Sequence, residues 1–302
     1  MPEHTVPADL DGARPEAILR HFQPELSRRD ARRLVDFGAV ARGADDDARI
    51  ALPLERLRTG EPVSWENSLF SLTLALRLPV LWGDSNALVV SKPPGLACHS
   101  GPLVDDHVAA RLTALDPGAG LAHRLDRSTS GALLIGRNAA ALRALAEAHG
   151  ESGRTYWAIA TGEPPEEAVL TFPLRVTDEP MGDRPKVVVG EAGGQPATTR
   201  VRVLARLRRA ALVELRLETG RTHQIRAHLR ALGTPLLGDP RYGDAEANTR
   251  ARATFGVRRP MLHAVRIRFR PPEAPAEVEI RAPLAADFAS ALSALRGRAD
   301  GR

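Results

Sequence analysis

The chain has 302 residues, of which 43% are hydrophobic and 26% are charged, so it can form one large or two ordinary globular domains. It contains no run of about 18 apolar residues, and its first 16 residues lack the pattern of a signal peptide. We therefore expect no membrane span, and we expect the protein to be cytoplasmic. The single cysteine, Cys98, excludes an internal disulfide and a cysteine zinc cluster.

The net charge is +5, but this value alone says little about partners, because two of the 42 basic residues are lysine and the rest are arginine. That bias is typical of a GC-rich coding sequence. The distribution of charge says more: residues 200–270 contain 17 arginines and five acidic residues. A basic segment of this density is typical of a surface that contacts phosphates, which points to a nucleic acid as the partner.

The N-terminal part of the chain is interpreted as a small helical module. Residues 1–10 are polar and are expected to be disordered. Within residues 11–63, Ile18, Leu19 and Phe22 mark a short amphipathic helix, and Ser27 can cap a second, arginine-rich helix. Residues 64–82 are interpreted as a connector whose secondary structure stays open.

Residues 83–290 are predicted to form the main domain, with a flexible tail over residues 291–302. Its first strand is the Val-rich run 87–92, which two prolines end. The central stretch is 123–131, with the sequence HRLDRSTSG, followed by the apolar run 132–135. Hydroxyl side chains and a glycine before an apolar run favour a tight turn leading into a buried strand, which would hold Asp126 rigidly at a sheet edge.

Two later stretches contain further candidate residues. Tyr156 lies in a predicted strand over residues 154–161. The sequence TGRTHQIR at 219–226 leads into a helix predicted over 222–232, with an apolar stripe on one side. The same spacing places three basic residues on the opposite, polar side: His223, Arg226 and Arg230.

The stretch HRLDRSTSG resembles the HRLD-x-x-TSG signature of the A-type family of large-ribosomal-subunit pseudouridine synthases. Other blocks of that family follow in order between residues 83 and 283. They include Lys-Pro-x-Gly, a basic residue followed by x-Tyr-x-Ala, Thr-Gly-Arg-x-His-Gln-x-Arg, and a Gly-Asp-x-x-Tyr-Gly that ends at Gly243. One departure is Ser91, where the family usually has Asn.

The N-terminal module resembles the small RNA-binding domain that many of these synthases share with a ribosomal small-subunit protein. The resemblance rests on the sequence PELSRRDARRLVDFGAV, and it weakens where the acidic residues 44–47 replace the usual hairpin. The whole resemblance implies an α+β fold, with a mixed, largely antiparallel sheet and flanking helices, preceded by this module.

The implied activity is the isomerisation of uridine in ribosomal or transfer RNA to pseudouridine, without a cofactor or a metal. Asp126 would act at the sugar, either as the nucleophile or by removing the 2′ proton, and the choice stays open. By resemblance, Arg226 is the cation paired with Asp126 and keeps it ionised. Tyr156 would stack on the base and assist removal of the proton at C5.

The remaining candidates are expected to bind RNA. By resemblance, Arg124 fills the gap that the extruded base leaves in its stack. Arg127 offers donors to an anion, and His123 and Arg221 brace the loop or touch phosphate. Lys92 either contacts phosphate or is a solvent-exposed lysine at the end of a strand. Arg230 is the last of the residues expected to bind RNA. The protein is expected to be a monomer.

Three rival interpretations are weaker. A non-catalytic RNA-binding or ribosome-assembly factor on the same fold predicts loss of Asp126, Tyr156 or Arg226, and all three are present. A hydrolase using Ser130, His123 and Asp126 lacks the Gly-x-Ser-x-Gly turn. A metal site is disfavoured because the histidines lack the spacing of ligands.

Overall fold

The structure is a computed structural model that describes residues 3–102, 104–113, 117–149, 153–177, 186–190 and 193–296. The chain divides into two compact units. The first comprises Met1–Ala146 and Arg270–Ala289, and the second comprises Glu147–Phe269 and Ser290–Arg302.

Helices and strands alternate irregularly along the chain. The helices are α1 (Pro15–Phe22), α2 (Arg28–Asp36), α3 (Phe70–Leu76), α4 (Val108–Leu112), α5 (Ala139–His149), α6 (Gln224–Ala231), α7 (Ala245–Phe255) and α8 (Ala286–Arg296). The strands are β1 (Glu3–Thr5), β2 (Ala41–Arg42), β3 (Arg49–Ile50), β4 (Pro62–Ser64), β5 (Val80–Gly83), β6 (Ala87–Lys92), β7 (Gly120–Leu121), β8 (Ser130–Gly136), β9 (Arg154–Thr161), β10 (Glu167–Leu170), β11 (Leu174–Thr177), β12 (Lys186–Val189), β13 (Thr199–Leu207), β14 (Ala210–Leu217), β15 (Leu262–Phe269) and β16 (Val278–Arg281).

The N-terminal region contains more strand than its sequence pattern predicts. Four short strands form an antiparallel sheet in the order β1-β4-β2-β3, and α1 and α2 pack on a core around the fully buried Trp65. Ser27 caps α2, as predicted, by accepting the backbone N–H of Asp30 at 3.0 Å. The prediction of disorder before residue 11 is wrong for residues 3–10, because β1 pairs with β4 and Val6 is buried.

The first unit also contains the strands around the HRLD stretch. β6 pairs with β5 and β8, and β8 pairs also with β7, all antiparallel. Every residue of β6 and of β8 is buried, as expected for central strands with apolar runs. The predicted strand at 132–135 is confirmed within the longer β8.

The second unit contains an antiparallel sheet in the order β10-β13-β14-β9-β15, together with the separate hairpin β11-β12. Together with the helices, these sheets confirm the α+β class with a largely antiparallel sheet and flanking helices. RNA binding by the N-terminal module stays a prediction.

The C-terminal end corrects another expectation. The tail predicted to be flexible from residue 291 is helical as far as Arg296, because α8 buries Phe288, Leu292 and Leu295. These residues lie at helical spacing, a stripe that the sequence pattern contains and that the prediction overlooked. Residues 297–302 lie outside the described part of the chain.

Candidate active site

Asp126 lies on the short loop that joins β7 to β8. Its carbonyl oxygen accepts the backbone N–H of Thr129 at 3.0 Å, which closes a tight turn just before the strand. Leu125 and Thr129 are buried, whereas Asp126 itself is half-buried. The turn therefore fixes the backbone of Asp126 while its side chain stays within reach of solvent.

Lys92, at the end of β6, helps to hold this loop through hydrogen bonds from its side chain. Its side chain is fully buried, and Nζ donates to the carbonyl oxygens of Leu96 at 2.8 Å, Pro93 at 3.0 Å and Arg127 at 3.3 Å. Burial of an ammonium group is tolerated when such acceptors surround it. Both sequence-based interpretations of Lys92 are corrected: it is neither solvent-exposed nor presented to a phosphate, and it ties the β6 end to the loop.

The segment after Lys92 makes two more reciprocal contacts with the loop. Gly95 N–H donates to the carbonyl of Arg127, and Arg127 Nε donates to the carbonyl of Gly95, both at 2.8 Å. Cys98 Sγ donates to the carbonyl of Leu125 and accepts the N–H of the same residue, both at 3.3 Å. Burial raises the pKa of the Cys98 thiol, so the sulfur keeps the proton that it donates. The backbone on each side of Asp126 is thus fixed by residues 92–98.

The predicted basic neighbours of Asp126 differ in environment. His123 Nε2 accepts the backbone N–H of Leu134 at 3.1 Å, so the bracing role that was one of its two predicted roles is present. Arg124 and Arg127 are exposed. Their guanidinium groups can therefore reach a ligand, and their contacts with RNA stay a prediction.

Tyr156 lies in the middle of the second unit's sheet. On β9 it is paired with Leu215 of β14 on one side and with Ala264 of β15 on the other. The side chain is 4% exposed, which is typical of a ring held by its neighbours. The predicted strand is confirmed, and the role of Tyr156 in chemistry stays a prediction.

Arg226 lies in the first turn of α6 and is 7% exposed. Its Nε and Nη2 donate to the two carboxylate oxygens of Asp239 at 2.7 and 3.0 Å, a buried bidentate ion pair. The guanidinium also lies over the ring of Tyr242, with 5.0 Å from Cζ to the ring centroid. The side of α6 that was predicted to be polar is thus buried at Arg226, where a long-range carboxylate compensates the burial of the charge.

The start of α6 also differs from the prediction. The helix begins at Gln224, and His223 precedes it with a φ of +56°, in the left-handed region. His223 Nδ1 lies 3.0 Å from the hydroxyl of Tyr242, which accepts the N–H of Val187 at 3.1 Å. Tyr242 thus joins the start of α6 to strand β12.

Gln224 holds the TGRTHQIR stretch together. Its Oε1 accepts the N–H of Arg221 at 3.0 Å and the hydroxyl of Thr219 at 2.9 Å, and its Nε2 donates to the carbonyl of Thr198 at 2.9 Å. Arg221 and Arg230 are exposed. Sequence reasoning missed the roles of Gln224, Asp239 and Tyr242, although all three lie in the motif blocks that carried the resemblance.

The basic segment 200–270 is less positive at its surface than its composition indicates. At least seven of its arginines form ion pairs with carboxylates: Arg202, Arg216 and Arg266 with Glu214, Arg200 with Glu218, Arg206 with Glu166, Arg226 with Asp239 and Arg250 with Glu246. Phosphate contact by this segment therefore depends on fewer side chains than the count of 17 arginines implies.

The described residues also bear on a metal site and on a membrane span. Within these residues, no group of three or more His, Cys, Asp or Glu side chains is placed to hold a metal ion. The same part of the chain contains no helix that is both long and apolar enough to cross a membrane.

Comparison with known proteins explains why these motifs occur together. The family model described as RNA pseudouridylate synthase matches residues 86–231. "Ribosomal large subunit pseudouridine synthase D" of Neisseria meningitidis serogroup A is 34% identical over 97% of this chain and 81% of its own length. "Ribosomal large subunit pseudouridine synthase C" of Vibrio cholerae serotype O1 is 34% identical over 84% of this chain and 80% of its own.

A solved structure shows the same likeness in three dimensions. "Human RNA Pseudouridylate Synthase Domain Containing 4" covers 72% of this chain and 92% of its own length, with 26% identity and a TM-score of 0.57. The chain belongs to the RNA pseudouridylate synthase family. Its activity is accordingly that of an isomerase, which converts uridine in RNA to pseudouridine.

Proposed function

We propose that Asp126 is the catalytic carboxylate of this isomerisation. The observation that carries the proposal is the loop itself: a half-buried carboxylate on a backbone fixed on both sides by residues 92–98. In the reaction, the bond from ribose C1′ to N1 of uracil breaks, a bond from C1′ to C5 forms, and the C5 proton is replaced by one at N1. Asp126 starts the first step, by attacking C1′ or by removing the 2′ proton.

Tyr156 and Arg226 have the other two roles in the same proposal. The ring of Tyr156 would stack on the detached uracil and its hydroxyl would assist in removing the C5 proton. Arg226 would supply a fixed cation for the carboxylate. Their burial supports these roles, because a charged or polar group that is held still needs little rearrangement during the reaction.

We propose further that exposed basic side chains bind the RNA around the target uridine. Arg124 would occupy the space that the flipped base leaves, and phosphates would lie against Arg127, Arg221 and Arg230. The N-terminal module would add phosphate contacts through Arg28, Arg29 and Arg32, which are exposed on α2. Lys92 is excluded from this set because its ammonium group is buried.

The proposed target is ribosomal RNA of the large subunit, in the cytoplasm, with the protein acting as a monomer. Relatives whose names specify that subunit match the chain over 84–97% of its length, which favours this target over transfer RNA. The test is a pseudouridine map of ribosomal and transfer RNA from cells with and without the protein, complemented by wild type or by Asp126→Asn.

The map separates the rival functions. Loss of a large-subunit site that wild type alone restores supports both the target and Asp126. Loss of a transfer RNA site instead overturns the proposed target. Restoration by Asp126→Asn overturns the catalytic role and favours a non-catalytic RNA-binding or assembly factor.

A further inference from the structure

The buried guanidinium of Arg226 forms a bidentate ion pair with the side chain of Asp239. Two parallel N–H bonds, from Nε and Nη2, reach the two oxygens of one carboxylate at 2.7 and 3.0 Å. Bidentate pairing of this kind fixes the plane of a guanidinium and not merely its position. It uses the Nε and Nη2 edge of Arg226 and thereby sets the direction of the remaining Nη1 group.

The carboxylate of Asp239 is itself held by the turn that follows α6. Its Oδ1 accepts the backbone N–H of Arg241 at 2.9 Å and of Tyr242 at 3.1 Å, and its side chain is fully buried. Asn248 fastens the same turn, because its side chain accepts the N–H of Gly238 at 2.7 Å and donates to the carbonyl of Asp239 at 2.8 Å. Asp239 is therefore held in place by its own turn and does not depend on Arg226 for its position.

The turn also requires glycine before Asp239. Gly238 has a φ of +80°, and a Cβ at this position would lie 2.1 Å from the carbonyl oxygen of Arg259. A side chain at position 238 is thus excluded, and the close approach of the two backbones helps to define the turn that carries Asp239. Because this carboxylate is held by its turn, it limits the flexible side chain of Arg226 to one orientation.

We propose that Asp239 is a positioning residue for the isomerisation, which acts by fixing the orientation of Arg226. This inference rests on the proposed role of Arg226 as the cation of the reaction. Asp239 itself touches neither the base nor the ribose in this account. It converts a side chain with several rotatable bonds into a fixed charge, and Tyr242 supports the guanidinium face from a second direction.

The test compares Asp239→Asn with a matched control, Asp244→Asn. Asp244 lies five residues further along and caps α7 by accepting the N–H of Ala247 at 2.7 Å, so the control removes a structural carboxylate of the same region. The measurements are the single-turnover rate of pseudouridine formation on ribosomal RNA from cells that lack the protein, the Kd for that RNA, and the folded fraction.

For Asp239→Asn we expect the rate to fall about 100-fold, a loss that displacing a catalytic group by about 1 Å can cause, with the Kd nearly unchanged. For Asp244→Asn we expect the wild-type rate. The double variant Arg226→Lys with Asp239→Asn should be no slower than Arg226→Lys alone, because Asp239 acts through Arg226.

A purely structural role predicts otherwise. One such result is a double variant whose loss of rate is the product of the two single losses. The other is a rate for Asp239→Asn that falls in proportion to the folded fraction. Either result would overturn the positioning role. If Asp239→Asn does not fold, Asn248→Ser replaces it, since Asn248 is half-buried and fastens the turn without touching the ion pair. A wild-type rate for folded Asn248→Ser would also contradict the proposal.

Failure of the proposed function gives a distinct result. If wild type forms no pseudouridine on RNA from these cells, the assignment of the target is wrong. If wild type is active and folded Asp239→Asn is equally active, the target stands and the positioning role is rejected.

Discussion

The Asp126 loop and the Arg226 helix hold their charged side chains in two different ways. The loop is held through its backbone, by Lys92, Gly95 and Cys98, and the side chain of Asp126 stays half-buried. Arg226 is held through its own charged group, by Asp239, and is nearly inaccessible. Fixing the backbone suits a group that must meet a substrate, whereas fixing the guanidinium suits a group that supplies a steady charge.

The largest stability effect is expected at the buried ion pair. Removing one partner leaves an uncompensated buried charge, so Asp239→Asn should lower the free energy of unfolding by about 3–5 kcal/mol. The measurement is urea denaturation at neutral pH. A loss below about 1 kcal/mol would show that the pair is not the anchor described above.

The same variant should change how stability depends on pH. Burial opposes ionisation of Asp239, but hydrogen bonds and the charge of Arg226 outweigh it and hold its pKa below the ordinary value of 3.8. A lowered folded-state pKa means that the stabilisation is present above about pH 4 and is lost as pH falls through the folded-state value. The difference in unfolding free energy between wild type and Asp239→Asn should therefore shrink on acidification, and a difference independent of pH would contradict this.

A smaller effect is expected at the loop when its buried ammonium group is removed. Lys92→Met keeps the length of the side chain but leaves carbonyl oxygens without a donor, which should cost about 2–3 kcal/mol of unfolding free energy. The RNA affinity should stay unchanged, because Lys92 is buried. A tenfold weaker Kd with unchanged stability would restore the phosphate-binding interpretation.

The smallest effect is expected for the thiol. Cys98→Ala removes weak bonds to the N–H and carbonyl of Leu125, so we expect a loss of about 1 kcal/mol in unfolding free energy. Cys98→Ser, measured alongside, should lose less because a hydroxyl donates and accepts in the same manner. Equal losses for both variants would show that the volume of the sulfur matters more than its hydrogen bonds.

The sequence predicts local features of both regions and misses their long-range partners. Apolar runs and turn residues identify β6 and β8, and Ser27 identifies the start of α2, because these signals lie within a few residues of one another. Periodicity placed Arg226 on the polar side of α6, but nothing in the helix itself shows that Asp239, 13 residues away, is its partner.

The same limit explains the missed strands of the N-terminal region and the unexpected burial of Lys92. Strands β2 and β3 contain two residues each, too few for an alternating pattern, and β1 becomes a strand by pairing with β4 about 60 residues later. Lys92 is polar at the end of an apolar strand, a position where exposure is the usual expectation. Its burial depends on carbonyl groups that converge from residues 93–127.

The most direct test of the account measures chemistry and binding separately at Asp126. Purified wild type and Asp126→Asn are mixed in excess with ribosomal RNA from cells lacking the protein, and pseudouridine formation and the RNA Kd are followed. We expect a rate at least about 100-fold lower for Asp126→Asn, with the Kd and the folded fraction unchanged. A near-wild-type rate for the folded variant would contradict the assignment of Asp126 as the catalytic carboxylate.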